Sequence, residues 1–124
     1  MGRILIIQDS PSVNAILKFR LEAGGFSVET VETGEEGIEK IKGDNYQLVL
    51  LDYMLPRMNG YKICQLLKTD PKYRSIPVIL SSGRTPQEIQ KVGKEVGADA
   101  YVSKPFEAEA LLNKIQELLE RRGK

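Results

Sequence analysis

The sequence contains no histidine and no tryptophan, and its only cysteine is Cys64. Without histidine, the chain cannot use a histidine general base, a histidine metal ligand or a phosphohistidine carrier. A single cysteine excludes both an internal disulfide and a cysteine-based zinc site. No apolar run approaches the ~18 residues that a membrane span needs, and the N-terminus lacks the layout of a signal peptide. We therefore expect a reducing, cytoplasmic setting.

Neither positive nor negative charge predominates, because 18 Lys and Arg residues nearly balance 17 Asp and Glu residues and leave a net charge of +1. This balance gives no electrostatic reason to expect nucleic acid or an anionic membrane as a partner. The 124 residues, 41% of them hydrophobic, are enough for one domain with a substantial core. We expect one domain over residues 1–124, with its core at about 3–121 and no effector domain.

Five short apolar runs alternate with helix patterns. Four runs are almost continuously apolar, as in strands buried on both faces, whereas the second alternates like an edge strand. The runs are residues 4–7, 26–31, 48–51, 78–80 and 100–102. Helix caps are predicted at Ser10 and Thr33, and at Thr85 before the fourth helix. The pattern predicts an α/β domain with a five-stranded parallel sheet and helices on both faces. For such a doubly wound sheet, the common flavodoxin-like strand order is 2-1-3-4-5, and we expect that order here.

Helical spacing also predicts which side chains face the core. In the first and third helices we expect the following residues to point inward: Val13, Ile16, Leu17, Leu21, Ile63, Leu66 and Leu67.

Polar residues follow four of the predicted strands. In this strand order, ligands bind beyond the carboxyl ends of the first and third strands, where Asp9 and Asp52 stand. The fourth and fifth strands deliver Ser82 and Lys104 to the same edge. Paired carboxylates repel unless a cation or proton lies between them, and hard oxygen ligands beside a lysine and a hydroxyl suit Mg²⁺ and a phosphoryl group. The alternative is that these residues are polar only because loops begin there.

Other phosphate chemistries fit less well. The loop at residues 8–12 lacks the glycines of a dinucleotide fingerprint or a P-loop. A haloacid-dehalogenase-type phosphatase is a weaker alternative, since it would place its general acid two residues after Asp52, where Met54 stands.

Together, these motifs resemble the receiver domain of response regulators from Arg3 to Arg121. The motifs that carry the resemblance are ILIIQD at 4–9, LVLLDYMLPRMNG at 48–60, PVILSSG at 77–83 and YVSKPF at 101–106. The resemblance implies a phosphoprotein of a two-component system. Such a domain accepts a phosphoryl group, with Mg²⁺ or Mn²⁺, from a sensor histidine kinase, a phosphotransfer protein or a small phosphodonor. It implies a regulatory phosphoacceptor rather than an enzyme, limited to self-phosphorylation and slow self-dephosphorylation.

The resemblance also implies the acceptor and the metal ligands. Asp52 would be the phosphoacceptor, and the metal would bind Asp9, Asp52 and the backbone carbonyl of Met54. The family usually has a second acid where this chain has Gln8, which can hold a metal-bound water but brings no charge. This loss should weaken Mg²⁺ binding by about 1–3 kcal/mol. It leaves open a pseudo-receiver, an interaction module that phosphate does not control.

Further roles concern the phosphoryl group and the output. By resemblance, Lys104, Ser82 and the backbone N–H of Gly83 would contact phosphoryl oxygens, while Ser82 and Tyr101 would form a switch. The output would be a downstream protein bound to the face of the fourth helix, fifth strand and fifth helix. We expect no direct DNA binding, no membrane association, and a monomer or weak dimer.

The remaining roles are structural or concern the lifetime of the acyl-phosphate. By resemblance, Pro105 would follow a cis peptide bond that aims the preceding lysine inward. Pro56 and Gly60 would shape the loop beside the phosphoacceptor. Met54 and Arg84 would flank the path of the hydrolytic water, and neither can activate it.

Overall fold

The computed structural model describes residues 2–53, 55, 60–83, 86–103 and 108–122. Strands and helices alternate through this part of the chain. They are β1 (Arg3–Ile7), α1 (Pro11–Ala23), β2 (Ser27–Val31), α2 (Gly34–Gly43), β3 (Leu48–Asp52), α3 (Gly60–Thr69), β4 (Val78–Ser82), α4 (Pro86–Val96), β5 (Ala100–Ser103) and α5 (Ala108–Arg122). Each helix described is too short or too polar to cross a lipid bilayer.

The strands form one parallel sheet in the order β2-β1-β3-β4-β5. This confirms the predicted fold class and strand order, including the edge position of β2. Since all strands run the same way, their carboxyl ends meet at one edge of the sheet. β1 and β3, whose connections leave the sheet in opposite directions, are neighbours at that edge.

Two apolar layers cover the sheet, because successive side chains of a strand point to opposite faces. One layer packs α1 and α5 on the sheet, and the other packs α2, α3 and α4 on it. From β3, the first layer takes Leu48 and Leu50, and the second takes Val49 and Leu51. Asp52 continues the first series, so it lies on the α1/α5 face at the end of its strand.

The predicted caps of α1 and α2 are present. The Ser10 side chain accepts a hydrogen bond from the Val13 N–H at 3.4 Å, and Pro11 occupies the first turn. Thr33 Oγ1 accepts from the Glu36 N–H at 3.1 Å. These bonds pair backbone donors that the first helical turn leaves free. The predicted cap at Thr85 lies outside the described residues.

The predicted inward face of α1 is only half correct. Leu17 and Leu21 are buried, but Ile16 is 60% exposed and Val13 is 36% exposed. Phe19 is 74% exposed on the same helix. Since α1 has apolar residues on opposite faces, helical spacing alone does not identify the face that packs on the sheet.

The prediction for α3 also needs one correction. Ile63 and Leu67 are buried as expected, but Leu66 is 49% exposed. Cys64 takes the inward position instead, with its thiol directed to the carbonyl of Val96 at 3.7 Å. Burial raises the pKa of the Cys64 thiol to about 11, which fits a packing role for this cysteine.

A polar cluster ties the amino ends of β4 and β5 together, opposite the edge with the acids. Lys68 Nζ lies 2.5 Å from Asp99 Oδ2 and donates to the carbonyls of Arg74 and Ile76. Asp99 Oδ2 also accepts from the Val78 N–H at 2.8 Å. These bonds link α3 to the segments that enter both strands, and so help to set the register of the sheet.

Candidate functional site

The strand register places Asp52 in a row of polar residues at the carboxyl edge. Ile7 pairs with Leu51, so Gln8 and Asp52 come next at the same level on β1 and β3. On the other side, Asp52 pairs directly with Ser81 of β4. Adjacent strands lie about 4.8 Å apart, so all three backbones are close. Asp52 therefore has a neutral polar residue on each side.

The two acids at this edge differ in exposure. Asp52 is 3% exposed, and its neighbours Gln8 and Ser82 are 2% and 1% exposed. Asp9 is exposed. Because buried polar groups need partners, a buried carboxylate at the open end of a sheet is typical of a functional position rather than of a loop that simply begins there. The site combines one enclosed acid with one acid that solvent reaches.

Ser82 and Tyr101 share the opposite face of the sheet. Ser82 lies one residue beyond the level of Asp52 and pairs with Ser103 on β5. Leu80 pairs with Tyr101, which is half-buried against the α2/α3/α4 layer. The side chains of alternate residues share a face, so Ser82 and Tyr101 are diagonal neighbours across β4 and β5. This arrangement suits the predicted switch pair, whose coupling stays a prediction.

A short turn carries Gln8 and Asp9 from β1 into α1. The Gln8 N–H still donates to the Val31 carbonyl at 3.0 Å, so the backbone continues its pairing with β2. Asn14 Nδ2 then donates to the Gln8 carbonyl at 2.9 Å. The backbone of Gln8 is thus held by β2 through its N–H and by the Asn14 side chain through its carbonyl. These two hydrogen bonds fix the backbone position of the next residue, Asp9.

Gly60 lies against the backbone of the phosphoacceptor candidate. Its N–H donates to the Tyr53 carbonyl at 2.8 Å, and the Tyr53 N–H donates to the Ser81 carbonyl at 2.8 Å. A Cβ atom on Gly60 would lie 2.2 Å from the Asp52 carbonyl oxygen. This contact gives a physical reason for glycine here, in keeping with its predicted role beside Asp52.

Several predicted site residues lie outside the described part of the chain, so their roles stay predictions. They are Met54, Pro56, Arg84, Lys104 and Pro105. Gly83 is described and exposed, directly after Ser82.

The oxygen ligands at this edge suit Mg²⁺, which keeps several waters, better than a metal whose ligands all come from the protein. Within the described ranges, no three Asp, Glu, Cys or His side chains form a group that would hold a metal ion. Asp9 and Asp52 offer two carboxylates, and Gln8 adds a neutral oxygen. Mg²⁺ commonly binds through one or two carboxylates and keeps several waters or phosphate oxygens, so this small oxygen set fits it.

Two further polar residues lie near the site: Ser81, which is part of the PVILSSG motif, and Asn14, which contacts Gln8 and which the sequence analysis did not single out. Ser81 and Asn14 are 1% and 4% exposed, and each has a buried oxygen, Oγ and Oδ1, with no hydrogen-bond partner among the described residues. A feature of the sequence could have drawn attention to each residue. Ser81 is a hydroxyl that ends an apolar run beside Ser82, and Asn14 stands one turn before the buried Leu17.

Comparison with known proteins identifies the family. The family model for the response regulator receiver domain matches residues 4–116 of this chain. The chain belongs to this family, and the resemblance stated above is confirmed. It is a receiver domain of the kind found in two-component systems, which is a regulatory domain. The match supports neither the phosphatase nor the pseudo-receiver alternative.

Individual relatives agree with this assignment. YkoG of Bacillus subtilis (strain 168), an uncharacterized transcriptional regulatory protein, is 39% identical over 123 residues, covering 98% of this chain and 53% of that protein. RpaA of Synechocystis sp., a DNA-binding dual master transcriptional regulator, is 36% identical, with 98% and 50% covered. The chain thus spans about half the length of these relatives. A CheY-like receiver domain protein from Methanospirillum hungatei JF-1 superposes with a TM-score of 0.91 at 32% identity, covering 99% of this chain and 97% of that chain.

Proposed function

We propose that Asp52 accepts a phosphoryl group from the phosphohistidine of a sensor kinase or phosphotransfer protein, or from a small donor such as acetyl phosphate. The observation that carries the proposal is the position of Asp52. It is a buried carboxylate at the carboxyl end of β3, level with Gln8 and Ser81 in a receiver fold. It lies at the point in the sheet where parallel α/β folds bind ligands.

The transfer is an in-line displacement at phosphorus. A carboxylate oxygen of Asp52 forms the new O–P bond, while the P–N bond of phosphohistidine or the P–O bond of acetyl phosphate breaks. The bonding electron pair leaves with the imidazole or the acetate. Ser82 donates its hydroxyl to one phosphoryl oxygen, Lys104 pairs with another as a point charge, and the Gly83 N–H assists.

The acids of the site also hold the metal. Asp9 and Asp52 would bind Mg²⁺ or Mn²⁺ directly with the carbonyl of Met54, and Gln8 would hold a metal-bound water. When bound, the cation supplies positive charge that offsets the phosphoryl oxygens and the paired carboxylates. Asp9 is exposed and Asp52 is enclosed, so the two carboxylates that would hold the cation differ in their access to solvent.

Phosphorylation changes the output through Ser82. The phosphoryl group draws the Ser82 hydroxyl toward itself, and the Tyr101 ring turns toward the space that is cleared. The surface formed by α4, β5 and α5 then favours a downstream protein. This is a two-state element biased by a group that contacts one state better than the other. Because serine is smaller than the threonine common in the family, the steric part of the coupling is loose.

Intact-mass spectrometry after incubation with Mg²⁺ and acetyl phosphate tests the proposal. We expect the wild-type chain to gain one phosphoryl group and Asp52→Asn to gain none. Asp70→Asn, at an exposed aspartate after α3, is the matched control and should react like wild type. A wild-type chain that gains no mass would be a pseudo-receiver instead, and release of phosphate from many phosphomonoesters would indicate a phosphatase.

A further inference from the structure

We propose that Asn14 is a positioning residue of the metal site, with its buried amide oxygen accepting a hydrogen bond from a water of the bound Mg²⁺. The inference rests on the proposed function, since it requires a metal beside Asp9 and Asp52. Gln8 stands where the family usually has a second acid. The neutral Asn14 amide would replace part of the interaction with metal-bound water that the missing carboxylate would provide.

The first observation is where the Asn14 amide lies. Asn14 is in the first turn of α1, and its Nδ2 donates to the Gln8 carbonyl at 2.9 Å. Gln8 directly precedes Asp9 and is level with Asp52 across β1 and β3. The amide nitrogen therefore touches the backbone of the turn that presents the metal ligands, and the other end of the same amide is close to that turn.

The second observation is that Asn14 Oδ1 has no hydrogen-bond partner among the described residues. Asn14 is 4% exposed, and within the described chain its amide oxygen accepts no hydrogen bond. The other buried side chains of α1 are Leu17 and Leu21, one and two turns further along. A leucine at position 14 would leave no oxygen unpaired, so a buried acceptor here carries a cost that a donor must offset.

A hydrated cation supplies such a donor. Mg²⁺ gives up its waters reluctantly, and each bound water presents two protons to acceptors around the site. The Gln8 side chain can accept from one water, and Asn14 Oδ1 can accept from another. Two amide oxygens would thus hold the hydration shell, while Asp9 and Asp52 bind the ion itself.

Asn14→Asp separates this role from a purely structural one. The aspartate keeps an acceptor oxygen and adds charge, but it loses the donor to the Gln8 carbonyl. If Asn14 only held the turn, Asn14→Asp would lower both the stability of the metal-free chain and its affinity for Mg²⁺. The proposal predicts lower stability without metal and an Mg²⁺ affinity that is about three- to tenfold higher.

Asn14→Leu gives a second readout that does not depend on a buried charge. Ca²⁺ exchanges its waters for protein oxygens more readily than Mg²⁺ does. Loss of an acceptor for metal-bound water should therefore weaken Mg²⁺ about three- to tenfold and Ca²⁺ by clearly less. A distorted turn would weaken both ions alike.

Amide NMR titrations of the full chain with MgCl₂ and CaCl₂ measure these affinities. Ser12→Asp, which adds the same charge at an exposed position in the same turn, is the matched control and should change Mg²⁺ affinity by less than about twofold. Unchanged or weaker Mg²⁺ binding by Asn14→Asp overturns the inference, as do equal losses for both ions in Asn14→Leu. If wild type itself binds no Mg²⁺, the proposed metal site fails and the inference falls with it.

Discussion

Gly60 packs directly on Asp52, so that a Cβ atom at position 60 would meet the Asp52 carbonyl oxygen at 2.2 Å and the Tyr53 Cα at 2.8 Å. These neighbours are backbone atoms at the end of a central strand, and they cannot move aside without shifting the site. The start of α3 is therefore built against the residue that we propose as phosphoacceptor.

Gly60→Ala should disturb stability and site together. We expect a loss of about 1–3 kcal/mol in the free energy of unfolding, because the extra methyl forces the backbone apart. Phosphorylation by acetyl phosphate should slow as well. The control is Gly43→Ala at the end of α2, where an added Cβ meets nothing within 4 Å. Urea unfolding compares the two, and equal stability in both variants would show that the close approach is readily relieved.

Gln8→Asp should lower the stability of the metal-free chain and raise its affinity for Mg²⁺. Gln8 is 2% exposed and level with Asp52, so a new carboxylate would be enclosed beside an existing one. We expect tighter Mg²⁺ binding by about 1–3 kcal/mol and a lower melting temperature in EDTA, which Mg²⁺ restores. Gln116→Asp, on the exposed side of α5, should show neither effect. An unchanged Mg²⁺ affinity in Gln8→Asp would refute our account of Gln8.

Beryllofluoride with Mg²⁺ should shift amide signals beyond the site. Ser82 and Tyr101 are diagonal neighbours on one face of the sheet, so a change at Ser82 is expected to reach Tyr101 and α4. In Ser82→Ala, the shifts near Asp52 should remain while those at Tyr101 shrink. Shifts limited to the turn after β1 and the end of β3 in the wild type would argue against a switch.

Stability should depend on pH through Glu29, in the middle of the edge strand β2. The Tyr46 hydroxyl donates to Glu29 at 2.8 Å and, with Lys40 and Arg3, holds the pKa of this carboxyl below its usual 4.5. A lowered folded-state pKa contributes stability above the unfolded pKa, and that stability is lost as pH falls through the folded value.

Glu29→Gln should therefore cost about 0.5–1 kcal/mol near neutral pH, a modest value because Glu29 is partly exposed. Denaturant unfolding should show this difference from wild type shrinking as pH falls from the usual pKa of 4.5 through the lowered folded-state value. Glu22→Gln, at an exposed residue of α1, is the control. A difference that stays constant from neutral to acidic pH would show that the charge of Glu29 is not its source.

The strand order and the edge that carries the acids were predictable from sequence, because buried parallel strands leave continuous apolar runs. Asp9, Asp52 and Ser82 end such runs, and the strand order brings these ends together. The face of α1 was not predictable. Ile16 and Leu17 are adjacent and equally apolar, and only the tertiary packing determines that Leu17 is buried.

The burial of Asn14 and Ser81 was not predictable from the sequence patterns either. Ser81 lies within the PVILSSG motif and Asn14 lies in none, but only the structure shows that each buries an oxygen with no hydrogen-bond partner among the described residues. Polar residues inside apolar patterns are therefore worth marking, since burial without a partner requires a physical reason.

The central claim is that Asp52 carries the phosphoryl group, and locating that group tests it most directly. After phosphorylation with acetyl phosphate and Mg²⁺, borohydride reduces an aspartyl phosphate to homoserine, and peptide sequencing by mass spectrometry finds its position. Our account predicts homoserine at position 52 of the wild-type chain and at no other aspartate. Homoserine at Asp9, or a phosphoryl group that resists borohydride and remains on Ser81 or Ser82, would contradict it.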